Sequence, residues 1–354
     1  MTAEEVPDQI PTKVHAGYQL ESGLLGRVRD WIDLFGPLRL VRVMRISVSP
    51  IALFVVAAVY LVWQFGFVTF LHPKVHWGGI GNPVYDDLAL VGFSFNPTSL
   101  WFVFNRPDPW ASFLLVSWSL VLWTPVALYL ARQGGLLTAD RTMEDVGSLL
   151  KRSLRRTPSA WLTAIVPTLC SAAIGLMVML LSLLLQLSHG LFFLEWPLAI
   201  AITCISIPIG LLLFGSFVAT PLAMASISNE RQADPLDSLS RGYEALYRRP
   251  LHLIFSTLTA IVLVAVVWLI TSGVSGLASV SAGLFTDITG TSRDQQLLIQ
   301  HCIAELPTIV ALTTWLAMVG GIYLLARHDT GGQEVEDLWM PEKPTPPPMP
   351  QPSR

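Results

Sequence analysis

The residues best suited to acid–base or metal chemistry lie at the edge of an apolar segment. Glu305 stands there, with His301 and Cys302 just before it. A carboxylate beside a membrane segment is costly and often marks an ion or substrate site. The alternative is structural, because an acid just before Pro307 suits the first turn of a helix and complements its dipole. Glu305 and His301 are therefore a candidate site at the outer interface, with this structural role as the alternative.

A second group of metal-ligand types lies in a long polar segment. His72 and His76 have the four-residue spacing of one helix face, and Asp86 and Asp87 follow them. Two histidines and an acid are a zinc-like set. Pro73 interrupts the spacing, however, and favours ordinary interfacial histidines. Cys302 lacks a fourth ligand beside Glu305 and His301, so we predict no metal site and no cofactor.

Enzyme and ion-transport motifs are absent from the sequence. It contains no GxSxG, HExxH, P-loop or paired-cysteine motif. The interiors of its long apolar segments hold no Asp, Glu, Lys or Arg, which proton-coupled pumps and many ion carriers require. The sequence therefore favours a non-enzymatic role, although a lipid-modifying enzyme with Glu305 or the histidines at its site stays open as a third interpretation.

Arginines instead dominate the chemistry of three polar stretches that precede apolar segments. An arginine side chain at the edge of a bilayer can bind anionic lipid head groups or an acidic partner. The candidate lipid- or partner-binding residues are Arg39, Arg42, Arg45, Arg155, Arg156, Arg241, Arg248 and Arg249.

The elements that must carry these arginines are three amphipathic helices, predicted over residues 37–49, 142–157 and 234–249. In the second and third, apolar positions recur at three- and four-residue steps, and charges occupy the opposite face. Thr142 with Asp145 indicates a capping box, and Asp234 with Pro235 indicates a helix start. Pro158 is expected to end the second helix. The helices either lie at the membrane interface or are connectors that pack on the bundle.

Six apolar stretches are long enough to cross a bilayer: 51–71, 111–130, 160–187, 197–226, 251–284 and 306–325. Hydrophobic residues form 52% of the chain and charged residues only 13%, about half the share in soluble domains. Of the 22 Lys and Arg residues, all except Lys74, Arg106 and Arg293 fall on one side of this topology. Basic residues stay in the cytoplasm during insertion, so we predict an inner-membrane protein with both termini cytoplasmic.

The chain divides into a polar cytoplasmic N-terminus (1–36), a six-span membrane domain (37–327) and a tail (328–354). The tail is rich in proline and is predicted to be disordered. The outer segment 72–110 is long and aromatic, which is typical of a functional loop or one with structure of its own.

Small residues in the spans predict close helix contacts. Gly215 with Ala219, Ser171 with Gly175 and Ala317 with Gly321 each have four-residue spacing. Prolines and glycines also interrupt the fourth and fifth spans. Broken helices of this kind can frame a transporter site, which gives the alternative function of a transporter or permease subunit for a neutral or amphipathic substrate.

The stretch Ala223–Pro250 carries a resemblance. A span ends in the small residues Ala225 and Ser226, and a helix follows with Asp237, Leu239, Arg241 and Gly242. This pattern resembles uncharacterised bacterial six-span membrane proteins, the group of YciC-type proteins and of the membrane domain attached to some glycerophosphodiester phosphodiesterases. Ser238 stands where the group has Ala, and the long outer loop is a further departure. The resemblance implies architecture and no particular activity.

The sequence therefore predicts an all-α integral membrane protein, with six transmembrane helices in three hairpins and an amphipathic interfacial helix before each. The predicted function is to organise lipid, chiefly anionic lipid, or protein partners through the basic helices. No nucleic-acid partner is expected, because a soluble basic domain is missing.

Overall fold

The computed structural model describes residues 35–71, 109–187, 192–231, 234–331 and 334–340. Within these ranges the chain forms one 3-10 helix and seven α-helices, and no strand. This confirms the all-α class. The 3-10 helix is Gly36–Val48, and the α-helices are α1 (Pro50–Leu71), α2 (Pro109–Thr138), α3 (Val146–Leu187), α4 (Phe192–Asn229), α5 (Pro235–Arg248), α6 (Pro250–Ile288) and α7 (Arg293–Gly331).

Two aspartates start the helices that carry most of the arginines. The Asp234 side chain accepts a hydrogen bond from the Leu236 N–H at 3.0 Å, and Pro235 is the first residue of α5, as predicted. At α3, Asp145 Oδ2 accepts from the Ser148 N–H at 3.0 Å. The cap of α3 is thus Asp145 itself, and the capping box headed by Thr142 is wrong, because α3 begins only at Val146.

The second basic stretch is the beginning of α3 and not a separate helix. α3 runs for 42 residues through Pro158 and Pro167, so the expected break at Pro158 is wrong. A proline removes one backbone donor and bends a helix without necessarily ending it. The basic turns stay helical because Leu149, Ser153 and Thr157 bury one face of α3 against the rest of the protein.

Four helices are long and apolar enough to cross a membrane: α3, α4, α6 and α7. The 3-10 helix and the first part of α1 meet the requirement only as a pair, and they are bent by 74°. The described residues thus provide four to five candidate spans. α2 corresponds to the second apolar stretch of the sequence, and six spans in three hairpins stay a prediction. Segment 72–108 lies outside the described residues.

The centre of the bundle is the crossing of α2 and α7. A Cβ at Gly134 would lie 1.8 Å from the Ala317 carbonyl oxygen, and one at Gly320 would lie 1.8 Å from that of Ala131. Glycine permits this approach because backbone meets backbone with no side chain between them. In the most apolar window of α7, 78% of residues are buried, against 6% in α3 and in α4. α7 is therefore central, and the apolar surfaces of α3 and α4 face outward.

The predicted small-residue pairs contribute unequally to packing. A Cβ at Gly321 would meet Leu40 Cδ2 at 2.5 Å, and one at Gly215 would meet Tyr243 Cε1 at 2.4 Å. No described atom outside the local helix lies within 4 Å of a Cβ at Gly175. Two of the three pairs thus include a glycine at a close contact, whereas Gly175 faces open space.

The two separate amphipathic helices bury their apolar faces in protein. Leu40, Val43 and Ile46 of the 3-10 helix are buried, and this helix packs on α7, α2 and α6. α5 packs on α4, with Leu239 and Gly242 buried. Both arrangements fit connectors that pack on the bundle.

Candidate functional site

Arg132, near the end of α2, lies fully buried at the centre of the arginine-rich end of the bundle, which we call the basic end. Its Nη2 donates to Glu144 Oε1 at 2.7 Å and to the Trp339 carbonyl at 2.6 Å. Its Nε donates to Glu144 Oε1 at 3.1 Å, and its Nη1 to the Asn229 carbonyl at 3.3 Å. One guanidinium therefore ties the end of α2 to the end of α4 and to the C-terminal residues.

Glu144 completes this buried ion pair. Its second carboxylate oxygen accepts from Arg152 Nη1 at 3.0 Å. Gln133 holds its backbone, since Nε2 donates to the Glu144 carbonyl at 2.9 Å and Oε1 accepts the Glu144 N–H at 3.2 Å. A buried charge is tolerated only when it is paired and its hydrogen bonds are satisfied. Glu144 meets this condition for Arg132.

Arg156 binds the carbonyls where α4 ends. Its guanidinium donates to the carbonyls of Ile227, Glu230 (2.8 Å) and Arg231 (3.2 Å). A cation there complements the negative end of the helix dipole and satisfies carbonyls that lack helical partners. Arg156, predicted to bind lipid or a partner, thus makes these contacts inside the molecule.

The last described residues, 334–340, contain a turn at 335–336, and we call this segment the strap. Val335 and Leu338 are buried, and the Arg152 and Arg156 guanidinium groups lie 5.3 and 5.4 Å from the Trp339 ring centroid, within cation–π range. Residues 328–331 lie in α7 and residues 334–340 in the strap, and disorder of the remaining tail stays a prediction. Two apolar anchors and several arginines hold the strap, while residues 341–354 lie outside the described part.

Three further arginines fasten the strap to the helices. Arg39 Nη1 lies 2.8 Å from Glu336 Oε1, and Arg141 Nη2 donates to the Glu336 carbonyl at 3.2 Å. Arg327 Nη2 donates to the carbonyls of Asp337 (2.6 Å) and Glu334 (3.2 Å). The strap therefore connects the 3-10 helix, the turn after α2 and the end of α7.

Arg241 of α5 belongs to a second polar group. It pairs with Glu230 and, at 2.8 Å, with Asp237 Oδ2, and Tyr323 of α7 donates its hydroxyl to Glu230. Partial burial lowers the pKa of Arg241, but Glu230, Tyr323 and Asp237 outweigh it and raise the pKa overall. Its charge is thus committed to joining α5, α4 and α7.

Four of the remaining predicted arginines are exposed, whereas the side chain of Arg42 is only 16% exposed. Arg42 lies 4.0 Å from Asp140, and Arg248 pairs with Glu244 at 2.8 Å while staying 66% exposed. Arg45, Arg155 and Arg249 are exposed. Neither these three nor the equally exposed Lys151 forms a side-chain hydrogen bond or ion pair with any residue that the structure describes. We call Arg45, Lys151, Arg155, Arg248 and Arg249 the outer basic set.

Glu305 and His301 lie towards the other end of α7. Tyr60 donates to Glu305 Oε2 at 2.6 Å, Gln64 donates to the Tyr60 hydroxyl at 2.8 Å, and His301 Nε2 lies 3.8 Å from Glu305 Oε1. α7 already begins at Arg293, so Glu305 is not the helix-start acid of the structural alternative. It joins α7 to α1 within the bundle.

The part of the chain that the structure describes contains no cluster of metal ligands. No three His, Cys, Asp or Glu residues are grouped there in a way that could hold an ion. The candidate zinc ligands His72, His76, Asp86 and Asp87 lie outside the described residues.

Sequence reasoning missed Arg132 and the strap. Arg132 carried a local signal, because a lone arginine at the end of an apolar helix needs an acid, and Glu144 follows after one short turn. Trp339, which contacts Arg132, is 207 residues away from it in sequence, and no periodicity in the tail indicates this contact.

Comparison with known proteins adds no relative. No protein-family model, no curated protein and no solved structure matches this chain. The resemblance to the YciC-type group therefore stays a prediction, and the geometry carries the functional argument.

Proposed function

We propose that this protein binds anionic lipid at the cytoplasmic face of a membrane and organises lipid there through the outer basic set. One observation carries the proposal. At the basic end, the arginines divide into an inner group that holds helices and strap together and an outer group left exposed. The inner group holds this end together, and the outer group is exposed for contact with lipid.

The positions of the outer basic set support contact with head groups. Arg45 lies in the last turn of the 3-10 helix, directly before α1. Arg248 and Arg249 directly precede α6, and Lys151 and Arg155 share one face of α3 before its apolar part. A basic residue near an anionic bilayer surface contributes about 1 kcal/mol of attraction. Five such residues beside three apolar helices make a strong local electrostatic site.

The transporter alternative draws no comparable support. Its site would lie between the fourth and fifth predicted spans, α4 and α6, and these helices are not packed as a pair in the described structure. A Cβ at Gly210, Gly273 or Gly276 would meet no described atom within 4 Å outside the local helix. All three glycines are exposed, so they give no sign of a packed substrate site between the two helices.

A triple variant, Arg45→Gln, Arg155→Gln and Arg249→Gln, tests the lipid proposal. The protein is reconstituted in phosphatidylcholine bilayers, and spin-labelled phosphatidylglycerol and phosphatidylcholine report their relative affinities for its surface. We expect the preference for phosphatidylglycerol to fall at least about fivefold, the factor that corresponds to one kcal/mol. The matched control is Arg293→Gln, an exposed arginine at the opposite end of α7.

Preserved folding is checked by the unfolding temperature, which these exposed substitutions should leave near the wild-type value. An unchanged preference in a folded triple variant would overturn the lipid proposal. An acidic protein partner would then be the remaining use of the same residues.

A further inference from the structure

A large cavity opens at the basic end, between the 3-10 helix, the start of α6, the end of α7 and the strap. Its volume is about 790 Å³. This lies within the range of roughly 300–1,000 Å³ that is typical of small-molecule sites. None of the outer basic set lines it. The cavity is thus separate from the surface proposed to bind anionic lipid.

One wall of the cavity is apolar. It is formed by Phe35, Leu251, Phe255 and Leu325. Leu251 and Phe255 lie in the first two turns of α6 and are 78% and 61% exposed. Because α6 is one of the helices able to cross a membrane, a molecule on this wall can continue along α6 into the hydrocarbon.

The opposite wall is polar and carries more negative than positive charge. Three carboxylates line it, those of Asp329, Glu334 and Glu336, against the guanidinium of Arg39 and the imidazoles of His252 and His328. Arg39 is already paired with Glu336 at 2.8 Å. An anionic head group would meet net repulsion here, and a cationic group would be attracted.

The remaining carboxylates are only partly satisfied. Asp329 lies 3.2 Å from His252 Nδ1 and 3.4 Å from His328 Nδ1, and both histidines are more than half exposed. The Glu334 side chain makes no hydrogen bond or ion pair with any described residue. Asp329 and Glu334 thus offer acceptor oxygens towards the same space, and an ammonium group supplies three donors.

We propose that this cavity binds a lipid whose head group carries a protonated amine. The ammonium group lies between Asp329 and Glu334, the phosphate lies on the Arg39 side, and an acyl chain follows Leu251 and Phe255 along α6. The apolar wall and the acidic wall together select an amphipathic lipid with an ammonium group in its head group, which neither wall would select alone. This inference does not rest on the proposed function, since it uses other residues and the opposite charge.

Three labelled lipids with identical acyl chains test the inference on the full-length protein in phosphatidylcholine nanodiscs. The fluorescent probes are phosphatidylethanolamine, phosphatidylcholine and phosphatidylglycerol, each titrated against unlabelled lipid. We expect phosphatidylethanolamine to bind about tenfold tighter than phosphatidylglycerol, because hydrogen bonds to charged groups are worth at least that factor. Phosphatidylcholine, which keeps the charge but lacks N–H donors, should fall between them.

The double variant Asp329→Asn and Glu334→Gln should abolish this preference, whereas the control Glu244→Gln, an exposed acid on α5 outside the cavity, should keep it. If the double variant does not fold, Glu334→Lys alone makes the same test at an exposed strap position. Equal binding of the ethanolamine and glycerol lipids by the wild type, or an unchanged preference in a folded cavity variant, would overturn the inference.

The two proposals fail separately. The triple variant of the outer basic set should lose its preference for phosphatidylglycerol over phosphatidylcholine and keep the binding of phosphatidylethanolamine in the cavity. If the triple variant lost ethanolamine-lipid binding as well, the cavity would not be the site, and the inference would be overturned.

Discussion

Arg132 shows, at the scale of one residue, why a charge is kept inside this apolar protein. It lies fully buried, yet Glu144 and two backbone carbonyls satisfy its guanidinium. The desolvation cost of such a pair is large, and its mutual attraction offsets that cost only while both partners are present. The pair therefore acts as a specific fastener between helix ends.

The variant Glu144→Gln tests this role. It leaves Arg132 buried without an opposite charge and also removes the partner of Arg152, so the free energy of unfolding should fall by roughly 3–5 kcal/mol. Thermal or denaturant unfolding in detergent measures the change. Glu244→Gln removes an exposed pair with Arg248 and should cost less than about 1 kcal/mol. Equal losses in the two variants would show that Arg132 does not depend on Glu144.

At the scale of elements, sequence patterns predicted best where the signal is local. Asp234 and Pro235 start α5 as expected, because cap and first turn are neighbours in sequence. Pro158 misled the prediction, since tertiary packing of Leu149 and Ser153 holds α3 helical through the proline. Local chemistry shows where a helix can end, and only packing decides whether it does.

The strap marks the limit of sequence reasoning about the site. The predicted arginines at 39 and 156 are engaged internally because the strap and the end of α4 come back to them from distant positions. The same sequence pattern predicts the exposed Arg45, Arg155 and Arg249. No local feature of the sequence distinguishes these arginines from the engaged ones. The division between inner and outer arginines required the tertiary structure.

The close crossing of α2 and α7 predicts how stability responds to an alanine in place of a glycine. Gly320→Ala places a Cβ 1.8 Å from the Ala131 carbonyl oxygen, so the helices must separate, and stability should fall by about 1–3 kcal/mol or more. Gly276→Ala is the matched control on α6, where a Cβ meets no described atom within 4 Å outside the local helix. Alanine there should be neutral or stabilise by about 0.5–1 kcal/mol.

Unfolding temperatures of the two glycine variants, measured side by side, give the comparison. A Gly320→Ala protein as stable as Gly276→Ala would mean that α2 and α7 do not approach as closely as the structure shows.

At the scale of the whole molecule, hydropathy and packing describe different aspects of the same helices. α3 and α4 expose apolar side chains on most of their surface, which water would not tolerate and a bilayer would. α7 is equally able to span, yet it is largely enclosed by its neighbours. The arginines are concentrated at the polar ends of the helices, so the basic end contains the buried ion pairs, the outer basic set and the cavity beside the strap.

The salt dependence of lipid selectivity tests whether the basic end binds lipid by electrostatic attraction. Raising ionic strength from about 0.1 M to about 1 M shortens the Debye length from roughly 10 Å to roughly 3 Å. The wild-type preference for phosphatidylglycerol over phosphatidylcholine should then fall towards the value of the triple variant Arg45→Gln, Arg155→Gln and Arg249→Gln. The preference of the triple variant itself should change little with salt. A wild-type protein with no preference at low salt, or with one that salt leaves unchanged, would contradict an electrostatic lipid-binding surface at the basic end.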